Sequence, residues 1–149
     1  MKFNKEIVVD VPPERVWDVL WDVERIARCL PGCQEAKTIV PHEHYEAVVQ
    51  ERVGPFKVKF PLDIRVLEAD APHHIKAQAN GKDSSMGSSM KVTFELALSP
   101  TPSGSRIDLA ADATILGKLG SLGQGIIAKK ADAIIAEFAG AIQREIAAA

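Results

Sequence analysis

Hydrophobic and polar residues alternate along most of the chain between Cys33 and Gly117. The clearest example is the run Phe56, Val58 and Phe60, which alternates with lysines. A two-residue period of this kind is typical of antiparallel strands with one buried face. Residues that favour turns separate the segments, at 41–42, 54–55, 70–72, 80–81 and 99–104. The pattern therefore predicts a series of antiparallel strands joined by hairpin connections.

A first strand and two short helices are predicted before this series. Phe3–Val9 alternates in the same way and is predicted to be a strand. Apolar residues then fall on one face of a helix over 13–21, and proline favours its start. Asp22 is predicted to cap a second short helix that runs to about Arg28, and Pro31-Gly32 ends it.

The last part of the chain has a different period. After Gly117 the apolar residues recur at steps of three and four, at Leu122, Ile126, Ile127, Ala131, Ile134, Ile135, Phe138, Ile142 and Ile146. This spacing predicts one amphipathic helix of about 25 residues. The charged residues expected mostly on its outer side are Lys129, Lys130, Asp132, Glu137, Arg144 and Glu145. Strands followed by a separate helix indicate an α+β fold, with a curved six- to seven-stranded antiparallel sheet wrapped around the helix. We expect residues 1–149 to form a single domain.

Small residues are frequent on the two surfaces that would face each other. They are Gly123, Gly125, Ala128, Ala131, Ala139 and Ala141 on the helix, and Ala111 and Ala113 on the last strand. They either leave an internal cavity or let helix and sheet pack closely. The residues expected to line an apolar cavity are Trp17, Trp21, Leu30, Phe56, Phe60, Met86, Met90, Phe94, Ala111, Ala113, Leu122, Ile126, Ala131, Ile134 and Phe138. The segment from Asn80 to Ser89, rich in serine and glycine, is expected to be the gate of that cavity.

Charge and hydropathy exclude several classes of protein. A net charge of -2 disfavours a nucleic-acid partner, because phosphate binding needs an excess of clustered lysine and arginine. No stretch approaches the roughly 20 apolar residues that span a bilayer. The first residues, 1–6, lack the apolar core of a signal peptide. We therefore expect a cytoplasmic protein.

Titratable side chains give a weak indication of chemistry. If Glu51 stays in phase with its neighbours, its side chain points inward, where a carboxylate could transfer a proton. A β-bulge would instead turn the side chain to solvent. The pairs His42 and His44, and His73 and His74, lack the spacing of a metal site. We expect these four histidines to be solvated turn residues.

The two cysteines and the glycine-rich segment do not match a cofactor motif. Cys29 and Cys33 flank Leu30-Pro31-Gly32, a spacing that differs from CxxC, and they are expected to be thiols in a reducing cytoplasm. Residues 117–125 depart from the fingerprints of nucleotide-binding loops. The sequence therefore predicts no metal and no cofactor.

Four segments carry a resemblance to a known family: Val16–Asp22, Cys29–Cys33, Val53–Phe60 and Ile115–Gly123. Together they are similar to the family of the carbon monoxide dehydrogenase G subunit, over nearly the whole chain. That family belongs to the START and polyketide-cyclase-like superfamily. The resemblance therefore implies a helix-grip fold, which agrees with the order of elements predicted above.

The resemblance also implies a role beside a molybdenum-containing dehydrogenase of the xanthine oxidase type. Family members are linked to recruiting that enzyme to the cytoplasmic membrane and to handling a membrane quinone. Some carry a membrane-binding C-terminal segment, whereas this sequence ends at 147–149 directly after the helix, so anchoring of that kind is not expected.

Three functions follow from these observations. The first is non-enzymatic binding of an apolar small molecule, for which an isoprenoid quinone is the candidate, as an accessory to the dehydrogenase at the inner face of the membrane. The second is a cyclase- or hydrolase-like enzyme that uses Glu51 or a histidine as general base. The third is a docking protein for the dehydrogenase that holds no ligand.

Overall fold

The computed structural model describes residues 1–83 and 87–148, and these form the predicted series of elements. The strands are β1 (Lys2–Val9), β2 (Cys33–Val40), β3 (His44–Val53), β4 (Phe56–Asp70), β5 (His74–Asp83), β6 (Ser88–Thr101) and β7 (Gly104–Leu116). The helices are α1 (Pro13–Leu20), α2 (Val23–Ala27) and α3 (Gln124–Ala148), with a 3-10 turn at Leu119–Leu122. The predicted α+β order is confirmed, and α3 has the predicted length of 25 residues.

The described strands form one antiparallel sheet in the order β1-β7-β6-β5-β4-β3-β2. The backbone of α3 approaches both β1 and β3, which have four strands between them. One helix can contact both only if the sheet curves around it. The concave face of the sheet, called the inner face below, therefore lies against α3.

Strand register decides which side chains occupy the inner face. Ile107 of β7 lies opposite Ile7 of β1 and Leu98 of β6, and all three are buried. Because side chains alternate along a strand, every second residue from these positions shares the inner face. The alternation read from the sequence places the same residues there.

The buried apolar residues form two separate clusters. The first cluster lies among β1, α1, α2 and the second half of α3, and its members are Ile7, Val9, Val11, Val16, Val19, Leu20, Cys29, Ile75, Leu98, Ile107, Ala139, Ile142 and Ile146. The second cluster lies at the β3–β4 turn and the 3-10 turn, and its members are Val53, Val58, Phe60, Leu62 and Leu119. The interior is thus packed at its two ends.

The second half of α3 is tied to the start of the chain by polar contacts as well. Arg25 of α2 donates from Nε to Glu145 Oε2 at 3.2 Å and from Nη2 to the Glu145 carbonyl at 3.1 Å. The Gln143 side chain donates to the Val8 carbonyl at 2.8 Å. Among the described helices, none is long and apolar enough to cross a membrane.

One turn prediction was wrong. Asn80 and Gly81 lie inside β5, where Gly81 is opposite Leu62 and Met90, and not in a turn. A Cβ at Gly81 would lie 2.7 Å from Leu62 Cδ2, so the glycine permits a close approach within the ladder. Of the segment expected to be the gate, residues 80–83 belong to β5 and residues 88–89 to β6, while residues 84–86 lie outside the described residues.

Two helix details also differ from expectation. Asp22 occupies the N-cap position of α2, but its side chain makes no capping hydrogen bond. Leu122 belongs to the 3-10 turn that precedes α3, because Gly123 with φ 91° breaks the helical path between them.

Candidate functional site

Apolar side chains between the two clusters are incompletely covered. Phe94, Ala111, Ala113, Ala131 and Ile134 all lie between the ends that the clusters fill, and each is only partly buried. They are placed in neither cluster. A solidly packed interior would bury apolar side chains at the middle of an inner face completely. Their partial exposure is what a cavity between the sheet and α3 would produce.

Small side chains face each other across this part of the sheet. Ala111 is opposite Phe94, and Ala113 is opposite Val92, so alanines form one row across β7 and its neighbour. Two further alanines, Ala77 and Ala79, continue small side chains onto β5. A methyl group fills much less volume than the side chain of leucine or phenylalanine, so a row of alanines favours a gap between the sheet and α3.

Several predicted lining residues lie at the ends of this space. Trp17, Trp21 and Phe138 pack against the first cluster. Phe56, Met90 and Leu122 pack against the second cluster, and Phe60 belongs to it. These residues would lie at the two ends of a cavity between the sheet and α3. Leu30, partly buried, lies in the connection between α2 and β2.

One predicted lining residue, Ile126, is exposed. Ile126 is 50% exposed in the first turn of α3, so it points away from the covered interior. Its place in the three-and-four pattern indicated the inner side, but within the same turn it is Ile127 that is buried. Met86 lies outside the described residues.

Glu51 lies on the inner face. The β3–β4 ladder is regular there, with Glu51 opposite Val58 and flanked by Val49 and Val53. The bulge that would have turned this carboxylate to solvent is not present between these two strands, because the register runs unbroken from His44 to Val53. Glu51 is 22% exposed.

The partner of Glu51 is Lys130, which sequence reasoning had placed on the outer side of α3. Lys130 Nζ lies 3.1 Å from Glu51 Oε1. On a helix, residues three and four apart share a face, so Lys130 lies beside Ile127 and Ile134. The two charged residues are 79 positions apart in the sequence, so no local signal indicated the pair.

The Glu51–Lys130 pair lies where three parts of the chain meet. A Cβ at Gly32, in the connection between α2 and β2, would lie 3.0 Å from Glu51 Oε2. Glu51 also lines an open hollow of about 480 Å³ with Gln34, Gln50, Arg52 and Lys57. The pair therefore stands between the partly covered interior and a hollow open to solvent.

A second polar feature lies near α1. The rings of Trp21 and His42 stack with centroids 4.1 Å apart and planes 2° apart, while Trp17 meets Trp21 edge-on at 5.8 Å. Trp21 Nε1 is buried and has no hydrogen-bond acceptor within residues 1–83 and 87–148. The stacking connects the first helix to the β2–β3 turn.

His42 and His73 are exposed turn residues, as expected, whereas His44 and His74 are partly buried and lie in β3 and β5. His42 is stacked on Trp21, and His44 Nε2 lies 2.5 Å from Asp63 Oδ1 with its side chain 14% exposed. Hydrogen bonds from His44 and from Arg65 lower the pKa of Asp63. These contacts lie outside the inner face and stabilise the β3–β4 ladder.

Burial determines the state of the two cysteines. Both thiols are free; Cys29 is buried and Cys33 is partly buried. Desolvation raises the pKa of Cys29 and of Cys33. The thiol forms, which donate weakly to the carbonyls of Arg25 and Glu35, therefore persist to higher pH than in a free cysteine.

An open groove of about 870 Å³ lies on the opposite, outer face of the sheet. Charged and polar side chains line much of it, including Glu46, Asp63, Lys82 and Lys91. Leu116, 61% exposed, lies at one side. Leu62, Gly81 and Met90, which the register places on the inner face, also line this groove. Within residues 1–83 and 87–148, no group of three or more metal-ligating side chains occurs.

Solved structures with the same fold come from several bacteria. A conserved protein of Geobacillus kaustophilus has a TM-score of 0.86 and 26% sequence identity, covering 99% of this chain and 95% of that chain. A Thermus thermophilus protein has a TM-score of 0.75 and 14% identity, covering 99% and 98%. A START superfamily protein of Mycobacterium smegmatis has a TM-score of 0.71 and 12% identity, covering 97% and 96%. These likenesses confirm the START-like, helix-grip fold.

Sequence comparisons agree with this fold. No curated protein is significantly similar to the chain. The model of the CoxG family, which is described as the G subunit of carbon monoxide dehydrogenase, matches residues 6–147. That match spans all the described strands except the start of β1. The chain therefore belongs to the CoxG family, that of the carbon monoxide dehydrogenase G subunit.

Proposed function

We propose that this protein binds an apolar small molecule between the inner face of the sheet and α3, without acting on it chemically. The observation that carries the proposal is the partial exposure of Phe94, Ala111, Ala113, Ala131 and Ile134 beneath a helix that should otherwise bury them. A ligand would complete the burial of these side chains. The packed clusters at either end would fix the walls of its site.

The energetics permit useful affinity with few polar contacts. Enclosing about 400 Å² of apolar ligand surface contributes roughly 10 kcal/mol at 25 cal/mol per Å². Loss of motion and ordering of side chains offset about half of that or more. The balance corresponds to binding at about micromolar concentrations or below.

We further propose that the ligand is an isoprenoid quinone and that the partner is a molybdenum-containing dehydrogenase of the carbon monoxide dehydrogenase type. Family membership supports the partner, and the apolar character of the gap supports the ligand class. A cytoplasmic protein that meets the inner face of the membrane transiently would have access to both. The single domain predicted from the sequence suffices for this role.

The test is mass spectrometry of an organic extract from the purified, natively produced protein. A quinone or other lipid present at about one molecule per chain is the expected result. An empty extract, together with no thermal stabilisation by added quinones, would rule out the quinone version.

Two variants and two matched controls locate the site. Phenylalanine at Ala111 or Ala131 should fill the gap and abolish lipid retention. Ala110→Phe on the outer face of β7 and Ala133→Phe on the exposed side of α3 add the same ring at exposed positions and should retain the lipid. Loss of lipid in all four variants would point to a general disturbance and not to this site.

One observation favours the enzyme alternative, namely that Glu51 faces the interior. A Glu51→Gln variant that binds ligand normally but loses turnover of a substrate would support a cyclase- or hydrolase-like activity. Glu51 forms an ion pair with Lys130, and a carboxylate held by an ammonium group is a weaker general base. Binding without chemistry is therefore the function that the site supports best.

A further inference from the structure

Apolar residues dominate the inner face, so the few charged groups on it stand out. Along β3 to β7 the register places two carboxylates there, Glu51 and Asp83. Asp83 is 4% exposed and accepts a hydrogen bond from the Lys59 backbone N–H at 2.9 Å, which joins β5 to β4. Asp83 thus has a role within the sheet, whereas Glu51 points to a group on α3.

Lys130 has hydrogen-bonding capacity that Glu51 does not use. An ammonium group offers three N–H donors. Within the part of the chain that the structure describes, Glu51 is the ion-pair partner of Lys130, at 3.1 Å. Lys130 precedes Ala131 and shares a helix face with Ile134, both of which adjoin the proposed cavity.

We propose that the Glu51–Lys130 pair is the polar end of the ligand site and selects a neutral head group with a carbonyl oxygen over an ionised one. The inference rests on the proposed function, since it concerns the same cavity. A carbonyl oxygen accepts a charge-assisted hydrogen bond from Lys130 while Glu51 keeps its own contact. The apolar part of the ligand then extends along Phe94, Ala111 and Ala113.

Glu51 supplies the discrimination. An anionic head group at Lys130 would lie within a few ångströms of the Glu51 carboxylate, and like charges at that separation repel. Because the pair carries no net charge, the attraction of a carboxylate ligand to Lys130 is offset by its repulsion from Glu51. A repulsive group placed against the wrong ligand is a common source of specificity.

The test uses two probes with matched chains. Dodecanoate and 2-tridecanone differ at the head, where a methyl group replaces the ionised oxygen, and the carboxylate is fully charged at neutral pH. Affinities are measured by displacement of the neutral fluorophore N-phenyl-1-naphthylamine from lipid-free protein. The wild-type protein should bind the ketone more tightly than the carboxylate.

Removing the carboxylate should reverse the preference. In Glu51→Gln, the affinity for dodecanoate relative to 2-tridecanone should rise by about tenfold. In Lys130→Met, ketone affinity should fall by about fivefold, which is the loss of one charge-assisted hydrogen bond in a partly exposed site. The double variant should lose the gain in dodecanoate binding. Glu46→Gln removes the same charge from the exposed outer face of β3 and should leave both affinities unchanged.

The outcomes separate this inference from the function on which it rests. If both probes bind and their ratio is the same in wild type and Glu51→Gln, the head-group role is wrong while the cavity stands. Unchanged ketone affinity in Lys130→Met would also refute the head-group role. This second test does not require the Glu51 variant to fold. If neither probe displaces the fluorophore from any variant, the cavity itself is refuted and the inference with it.

Discussion

The sharpest test of the gap beneath α3 compares the same substitution at two positions of that helix. Ile142 is 2% exposed within the first cluster, whereas Ile134 is partly exposed beside the gap. Isoleucine to alanine removes three carbon groups and improves intrinsic helix propensity by the same small amount at both sites. Any difference in destabilisation therefore reports how tightly the side chain is packed.

The expected magnitudes differ by a factor of about three or four. At Ile142, loss of three carbons at about 0.8 kcal/mol each amounts to about 2.4 kcal/mol. A residual cavity of roughly 60 Å³ adds about 1.4 kcal/mol at 24 cal/mol per Å³, for a total near 4 kcal/mol. At Ile134 the lost burial is partial and the neighbouring space is already open, so we expect about 1 kcal/mol.

Urea unfolding of lipid-free protein, followed by tryptophan fluorescence and circular dichroism, measures both values. With a slope of about 2 kcal/mol per M, the midpoint should fall by about 2 M for Ile142→Ala and about 0.5 M for Ile134→Ala. Added ligand should raise the midpoint of the wild type. Equal shifts for the two variants at an unchanged slope would mean that the middle of the interior is packed as solidly as its end, which would refute the reasoning from partial exposure.

Two further predictions concern the frame of the site. Gly104→Ala should destabilise the protein by about 2 kcal/mol or more, because a Cβ there would meet the Val9 carbonyl and lie 2.6 Å from the backbone nitrogen of Val11; a thermal midpoint equal to that of the wild type would contradict this. Asp63→Asn should lower stability by about 0.5 kcal/mol at neutral pH, since His44 and Arg65 lower the pKa of Asp63. A carboxylate with a lowered pKa stabilises the folded state above its ordinary pKa of 3.8, and this stabilisation is lost as pH falls through the folded-state pKa. The free energies of unfolding of the two proteins, measured by urea titration, should therefore converge at low pH. A difference that stays constant with pH would exclude this cause.

Local patterns predicted most of the fold because each strand and helix shows its period within a short window. The alternation along Phe56, Val58 and Phe60 and the three-and-four spacing of α3 both reflect burial of one face. The turn predicted at Asn80-Gly81 was wrong because that dipeptide usually favours turns. Here a glycine is needed at position 81 because the side chain of Leu62, on a different strand, leaves no room for a Cβ. Contacts of that kind have no signature in the local sequence.

The phase of Glu51 along β3 indicated its inward position, whereas its partner on α3 could not be predicted. Small residues at Ala111, Ala113 and Ala131 were visible in the sequence as a stripe on facing surfaces. The ion pair of Glu51 with Lys130 depends on the rotation of α3 over β3, which a helical wheel cannot supply. A lysine at the boundary of an apolar stripe was assigned to the outside because most lysines are exposed.

The position of β1 has a consequence for how the chain reaches its native state. β1 is made before every element it touches, yet its hydrogen-bond partner is β7 and the helix packed beside it is α3. Pairs such as Lys2 with Asp112 close a very long loop, and loop closure of that kind slows folding. During synthesis β1 must therefore wait as an unpaired strand until most of the chain has emerged. The lysines at positions 2 and 5 keep that segment charged, which opposes association with other nascent chains during the delay.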